Sequence, residues 1–227
     1  MSELWLSRAR LRGDASAAAL ARLLVPETAS ARPAAAHHLV WSLFADGPER
    51  RRDFLWREQA PGRFMTLSAR PPVNVAGLFD LDSQPFAPVL ARGDRLGFML
   101  RANPVVARAT APRHRGKRHD VVMNALHPLP REQRAGARPD AVLTAGRAWL
   151  ARQGAAHGFQ PEGEAAVDGY DSVVIPRGAG APARFGVLDI SGALAVEDPA
   201  RFLAALAAGF GRARAFGCGL MLIRRVR

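Results

Sequence analysis

The chain has one cysteine, one lysine and no apolar run that approaches the length of a membrane span. A lone thiol excludes an intrachain disulfide and any cysteine zinc cluster. Cys218, held between Gly217 and Gly219, therefore reads as a small apolar filler. The N-terminus lacks the basic-then-apolar pattern of a secretory signal, so the expectation is a cytoplasmic protein with no membrane partner. None of the six histidines forms a helical His/carboxylate pair at ligand spacing, and Asp80 and Asp82 stand together but isolated. No metal and no cofactor are expected. A Ser/His/Asp or Cys/His nucleophile in its usual turn context is missing as well. Acid is scarce at the C-terminal end: nothing acidic follows Asp198, whereas Arg201, Arg212, Arg214, Arg224, Arg225 and Arg227 do.

What is present is positive charge on a chain able to fold. The 227 residues are 48% hydrophobic and carry a formal charge of +12, enough length for a real core and for two small domains. A positive field of that size favours nucleic acid or an anionic surface and says nothing about fold. The densest feature is Gly209–Arg225, GFGRARAFGCGLMLIRR, where Gly209, Gly211, Gly217 and Gly219 flank Arg212 and Arg214. Glycine lets a backbone take unusual φ values and approach another molecule closely. The order is helix, glycine loop, strand. A dinucleotide or P-loop site needs strand, loop, helix, so the inversion argues against either. A tight turn returning a helix to a sheet is the plainer reading, and it is compatible with an anion-facing surface.

Taken in order, Glu3–Leu11 reads as a strand and Ser16–Leu24 as a short helix. Pro33 suits a helix start, and Ala36, Leu39, Val40, Leu43 and Phe44 fall on one helical face, with Gly47 as the stop. Phe54–Glu58 and Arg63–Ser68 form a hairpin, and Leu78–Asp82 is a weak strand. The pattern then begins again with a long strand over Arg95–Val106, a helix over Ala141–Gln153 and strands within Phe159–Ile175 and Phe185–Val196. Asp198 and Pro199 begin a helix that Gly209 ends, and Leu220–Ile223 is the last strand. The first half spells a degraded βαββαβ unit, and the second spells it more fully. The expected fold is α+β, with two tandem ferredoxin-like domains over residues 1–90 and 94–227. Between the strand and helix that open the second half lies a basic loop containing Arg113, Arg115, Lys117 and Arg118, marked as a hairpin tip by Pro112 and Gly116. A solvated surface loop is its bland reading; a nucleic-acid contact is the one that agrees with the net charge.

Without a metal or a protein nucleophile, an RNA strand still offers chemistry. Its 2′-hydroxyl can attack the adjacent phosphate while the protein supplies proton transfer and charge stabilisation. Histidine suits that work, and His37 lies in the first turn of the amphipathic helix, one turn before Trp41. On spacing alone such a histidine is more often structural.

Several segments together resemble one family: HHLVWSLF at 37–44, RRDFLWRE at 51–58, LRANP at 100–104, GKRHDVVM at 116–123, VEDPARF at 196–202 and the glycine-rich tail. They are similar, in order and over most of the chain, to the CasE family, CRISPR-associated endoribonucleases of the type I-E Cascade complex within the RAMP superfamily. The resemblance implies two ferredoxin-like domains and metal-independent cutting of CRISPR repeat hairpins in precursor RNA. It also implies retention of the crRNA and assembly with other Cascade subunits. In that family the catalytic histidine precedes a tryptophan by four residues and a phenylalanine by seven. His37, Trp41 and Phe44 match that spacing, and His38 does not. Many members carry tyrosine three positions before the histidine, where this chain has Ala34. Arg214 matches a position often occupied by lysine. A non-catalytic RNA-binding RAMP subunit, with His37 structural, is the alternative, and a basic scaffold that touches RNA incidentally is a second.

Overall fold

A computed structural model describes residues 3–13, 32–45, 47, 51–108, 117–177 and 180–226. Eight of the described strands fall into two four-stranded antiparallel sheets. The first contains β1 (Trp5–Leu11), β2 (Phe54–Ala60), β3 (Arg63–Ser68) and β4 (Phe79–Pro85) in the order β2-β3-β1-β4. The second contains β5 (Arg95–Ala102), β8 (Phe159–Arg177), β9 (Gly180–Val196) and β10 (Met221–Arg225) in the order β10-β5-β9-β8. Counted within each half, both read fourth, first, third, second, the order of a βαββαβ unit. The molecule is two ferredoxin-like units in tandem.

The helices differ between the halves. The first unit has α1 (Arg32–Trp41), and residues 69–78, between β3 and β4, form bends and a turn with no helix. Pro71 and Pro72 remove two backbone donors where that helix would begin. The second unit has α2 (Val121–Leu126), α3 (Arg134–His157) and α4 (Pro199–Ala208).

Helix α1 runs along one face of the first sheet. Its stripe of Ala36, Leu39 and Val40, continued by Leu43 and Phe44 in the following turn, buries against Ala9, Phe54, Trp56, Phe64 and Phe79. The opposite face is covered only in part: Arg8 and Asp82 on it stay exposed, while its other end is buried. Leu55, Met65 and Leu67 pack on Leu220, with Leu222 and Phe86 at the margin. Phe64 to Ser68 of β3 are consequently all buried, because both faces of the strand are covered. The second unit has the larger core, centred on Phe98, Leu100, Trp149, Phe159, Leu188 and Phe202.

Several expectations hold closely. Asp198 caps α4, its side chain accepting from Arg201 N at 3.0 Å with Pro199 in the first turn, and Gly209 ends the helix. Others need correction. The long strand expected over 95–106 breaks at Asn103-Pro104, and its remainder becomes β6 (Val105–Arg108), paired antiparallel with β7 (Lys117–Asp120). Proline cannot donate to a ladder, and Asn103 instead forms a bridge with Arg212. Helix α2 went unforeseen; Asp120 caps it by accepting from Val122 N and Met123 N at 2.9 and 3.0 Å. Helix α3 begins at Arg134 rather than near Ala141 and tolerates Pro139 close to its start. Helix α1 ends at Trp41, short of Gly47. The weak strand expected at 78–82 is β4, which runs on to Pro85. The helix expected at 16–24 lies outside the described residues. Among those residues no helix is long and apolar enough to cross a membrane.

Candidate active site

The glycine loop leaves α4 and folds back to β10 across the seam between the two units. Phe210 anchors its start, fully buried against Phe159 and edge-on to His157. The backbone is tied down by Phe210 N donating to Gly219 O at 2.9 Å and Gly219 N donating to Arg101 O at 2.8 Å. Gly209, Gly211, Gly217 and Gly219 all have positive φ. Two show why no side chain fits. A Cβ on Gly211 would lie 2.9 Å from Asn103 O and 3.1 Å from the Trp149 ring, and one on Gly217 would lie 3.1 Å from the Trp56 ring. These glycines are thus required first by contacts within the protein.

At the apex is a single 3₁₀ turn, Arg214–Phe216, entered through Ala213 in the left-handed region at φ 52°. A non-glycine residue there signals a conformation imposed by its surroundings. The turn directs the carbonyl of Ala215 at the first unit, where two donors converge on it. Nδ1 of His37 lies 2.7 Å away and Nε1 of Trp56 lies 3.1 Å away. A carbonyl only accepts, so Nδ1 of His37 carries a proton, and in the neutral ring the lone pair is on Nε2. The imidazole is flanked by rings: Phe216 at 5.4 Å, His38 at 5.4 Å and Trp41 at 6.1 Å. Beside this contact opens a cleft of about 670 Å³, lined by Trp56, Phe216, Gly217, Arg101, Glu58 and Ser172 among others.

Electrostatics at the seam run in one direction. The pKa of His37 is lowered, first by burial, while the Ala215 carbonyl opposes the shift and the charges of His38 and Arg52 add to it. Arg52 is itself depressed by burial and by Arg214, and Arg214 by burial and by Arg212. His157 is lowered by burial and by Arg201 and Arg214. Every charged neighbour in this chain of interactions is a cation. Such a cluster is suited to a polyanion and favours a neutral His37 at physiological pH. Cys218, fully buried, has its thiol pushed up to about 12 by burial and is inert filler.

Acid appears just below, holding the two units together. Asp189 of β9 accepts from Arg57 of β2 at 3.1 Å and from Arg101 of β5. This bridge spans the seam under the glycine loop.

His37 and the glycine loop, read from opposite ends of the sequence, therefore meet at Ala215; Arg214 is the residue before that carbonyl's own, and Arg212 lies further back in the loop, bridged to Asn103. The basic hairpin is only partly described. Arg118 is exposed on β7, Lys117 opens that strand, and Arg113 and Arg115 lie outside the described residues. Sequence reasoning missed Arg52, Trp56 and Phe216, although the first two sit inside the RRDFLWRE segment.

A family model for CRISPR associated proteins matches residues 4–225. The chain belongs to that family. Among solved structures, it is similar to a CRISPR endoribonuclease Cse3 bound to 19 nt RNA. That likeness has 26% identity, covers 97% of this chain and 99% of that one, and gives a TM-score of 0.68. Cse3 of Thermus thermophilus, bound to an RNA representing a pre-cleavage complex, is 25% identical, with 98% and 99% covered and a TM-score of 0.65. The CRISPR-associated protein Cas6e of Escherichia coli str. K-12, at 21% identity, 98% and 100% coverage and a TM-score of 0.63, shares the fold. No curated protein matches the chain significantly. The CasE resemblance drawn from the sequence segments points to the same group.

Proposed function

We propose that this protein is an endoribonuclease that binds the CRISPR repeat hairpin and cuts precursor crRNA by attack of the RNA's own 2′-hydroxyl, without a metal. One observation carries the mechanism: the His37 Nδ1 bond to Ala215 O, which in the neutral imidazole puts the lone pair on Nε2, beside a cationic loop. In this reading Nε2 takes the proton from the 2′-hydroxyl as its oxygen attacks the adjacent phosphorus. The bond from phosphorus to the 5′-oxygen breaks, and that oxygen is protonated from solvent. The products are a 2′,3′-cyclic phosphate and a 5′-hydroxyl. Arg212 and Arg214 face the phosphate and offset the charge that grows on it. Gly209, Gly211, Gly217 and Gly219 shape the loop that presents them. Arg113, Arg115, Lys117 and Arg118 grip the hairpin stem through its backbone, since the deep groove of A-form RNA hides the base edges. Residues 1–90 and 94–227 are the two domains, the first carrying the base and the second the charge.

The likeness to Cse3 structures named as endoribonucleases bound to RNA supports the substrate class. The crRNA product stays bound, and the protein assembles with other Cascade subunits in the cytoplasm. The deciding experiment incubates a labelled repeat hairpin with the protein in EDTA. A single cut leaving a cyclic phosphate is the expected result. Tight, specific binding without a cut would make it a non-catalytic RNA-binding subunit, and neither binding nor cutting would make it a basic scaffold.

A further inference from the structure

Arg52 stands immediately before β2, in reach of the site yet outside the roles assigned above. Its place is fixed from below. Phe54, two residues on, stacks on Phe44 at 4.2 Å and meets Trp41 edge-on at 5.2 Å, so the start of β2 is held against the same helix that carries His37. The adjacent carboxylate, Asp53, is engaged by Arg70 at 3.3 Å. Arg52 is half-buried, and its Nη1 is sealed from solvent with no hydrogen-bond partner among the described residues. Among the described residues, His37 of the first unit and Arg214 of the second both lie near enough to interact electrostatically with it.

Such an arrangement is unfavourable for the protein alone. A buried donor without an acceptor costs about 1–3 kcal/mol, more when the group is charged, and like charges add to the cost. A singly charged phosphate between Arg52 and Arg214 would supply the missing acceptor and offset the repulsion. Arg214 is oriented for this by its own Nε, which donates to Gly211 O at 3.2 Å. The guanidinium fork fits two phosphate oxygens at once.

We propose that Arg52 is a further catalytic residue, donating to a non-bridging oxygen of the scissile phosphate across from Arg214, and stabilising the second negative charge that the phosphorane gains as the 2′-oxygen attacks. This rests on the endoribonuclease reading above. The base and one cation then come from the first unit, and the opposing cation comes from the loop of the second.

The test uses the full chain and two substrates: the repeat hairpin, and the same hairpin with sulfur in place of either non-bridging oxygen at the scissile phosphate, as separated diastereomers. Loss of one preorganised donor to a developing oxyanion lowers the rate by about 10²–10³-fold. Arg52→Gln should show that loss in single-turnover rate at saturating enzyme, with affinity for a non-cleavable 2′-deoxy hairpin changed by no more than a few fold. One diastereomer should slow the native protein, and that thio effect should collapse in Arg52→Gln, because the contact it disturbs is already gone. Arg52→Lys retains the charge and stem. It should fold where Gln does not, and should show the same collapse with a smaller rate loss. A variant that cuts at the native rate, or that keeps the full thio effect for both diastereomers, overturns the assignment of Arg52 alone. A native protein that does not cut the hairpin overturns the endoribonuclease reading, and this proposal with it.

Discussion

The two units share a strand order and differ in what covers their sheets. The first sheet has α1 on one face and the seam residues Leu220 and Leu222 against part of the other, whose edge at Arg8 and Asp82 stays open. The second sheet buries one face under α3 and α4, while part of the other stays open around Met99, Gly97, Ser191 and Arg224. The first unit thus buries Leu55, Met65 and Leu67 against the second, and the glycine loop runs through the region where they meet. A histidine on one unit reaches a backbone carbonyl on the other, 178 residues away in sequence. The site belongs to neither unit by itself.

That division of labour can be broken in steps. Replacing His37 by alanine removes the base and should slow cleavage about 10²–10⁴-fold with little change in hairpin affinity, whereas His38→Ala should do much less. Single-turnover rates at saturating enzyme separate the two. Neutralising Arg212 and Arg214 together attacks the second unit's share. Both affinity and saturated rate should fall, the rate by about 10²-fold or more. A loss of affinity alone would make the loop a binding element and remove it from the chemistry.

The pH profile sharpens the same comparison. His37 must be neutral to act, and burial with its cationic neighbours His38 and Arg52 holds its pKa below the ordinary value of about 6.5. The rate should therefore stay level above that pH and fall only below it as the imidazole gains a proton. A limb centred well above 6.5 would mean that the protonated form is the active one. The smallest effect belongs to the hairpin, which takes no part in the contact between His37 and Ala215. Neutralising Lys117 and Arg118 should weaken binding and reduce the log–log salt slope by roughly one per lost phosphate contact, leaving the saturated rate unchanged.

How much of this was legible in the sequence depends on whether a feature is local. The cap at Asp198, the stop at Gly209 and the stripe on α1 follow from residues a few positions apart, and the structure keeps them. The strand break at Asn103 had a local sign in Pro104 that the apolar run on either side concealed, whereas the bridge that takes up Asn103 comes from Arg212, more than a hundred residues away. Helix α2 was missed because Asp120 looked like the end of a basic loop rather than a cap. At the site, the spacing of His37, Trp41 and Phe44 carried the family pattern, and the arginines of the glycine loop announced themselves by the lack of acid around them. The partner of His37 could not be read at all. It is a main-chain oxygen, and a carbonyl at Ala215 leaves no trace in residue type. Arg52 stayed unmarked among the chain's many arginines, because its buried Nη1, without a hydrogen-bond partner among the described residues, and its neighbours across the seam show only in the fold.

The most direct test removes the nucleophile and leaves the protein untouched. A repeat hairpin carrying hydrogen in place of the 2′-hydroxyl at the scissile nucleotide should bind as well as the native RNA and remain uncut, while the native hairpin yields a 2′,3′-cyclic phosphate and a 5′-hydroxyl in EDTA. Cleavage of the deoxy-substituted RNA would show that water is the nucleophile, and that His37 and the glycine loop do not catalyse attack by the RNA on itself.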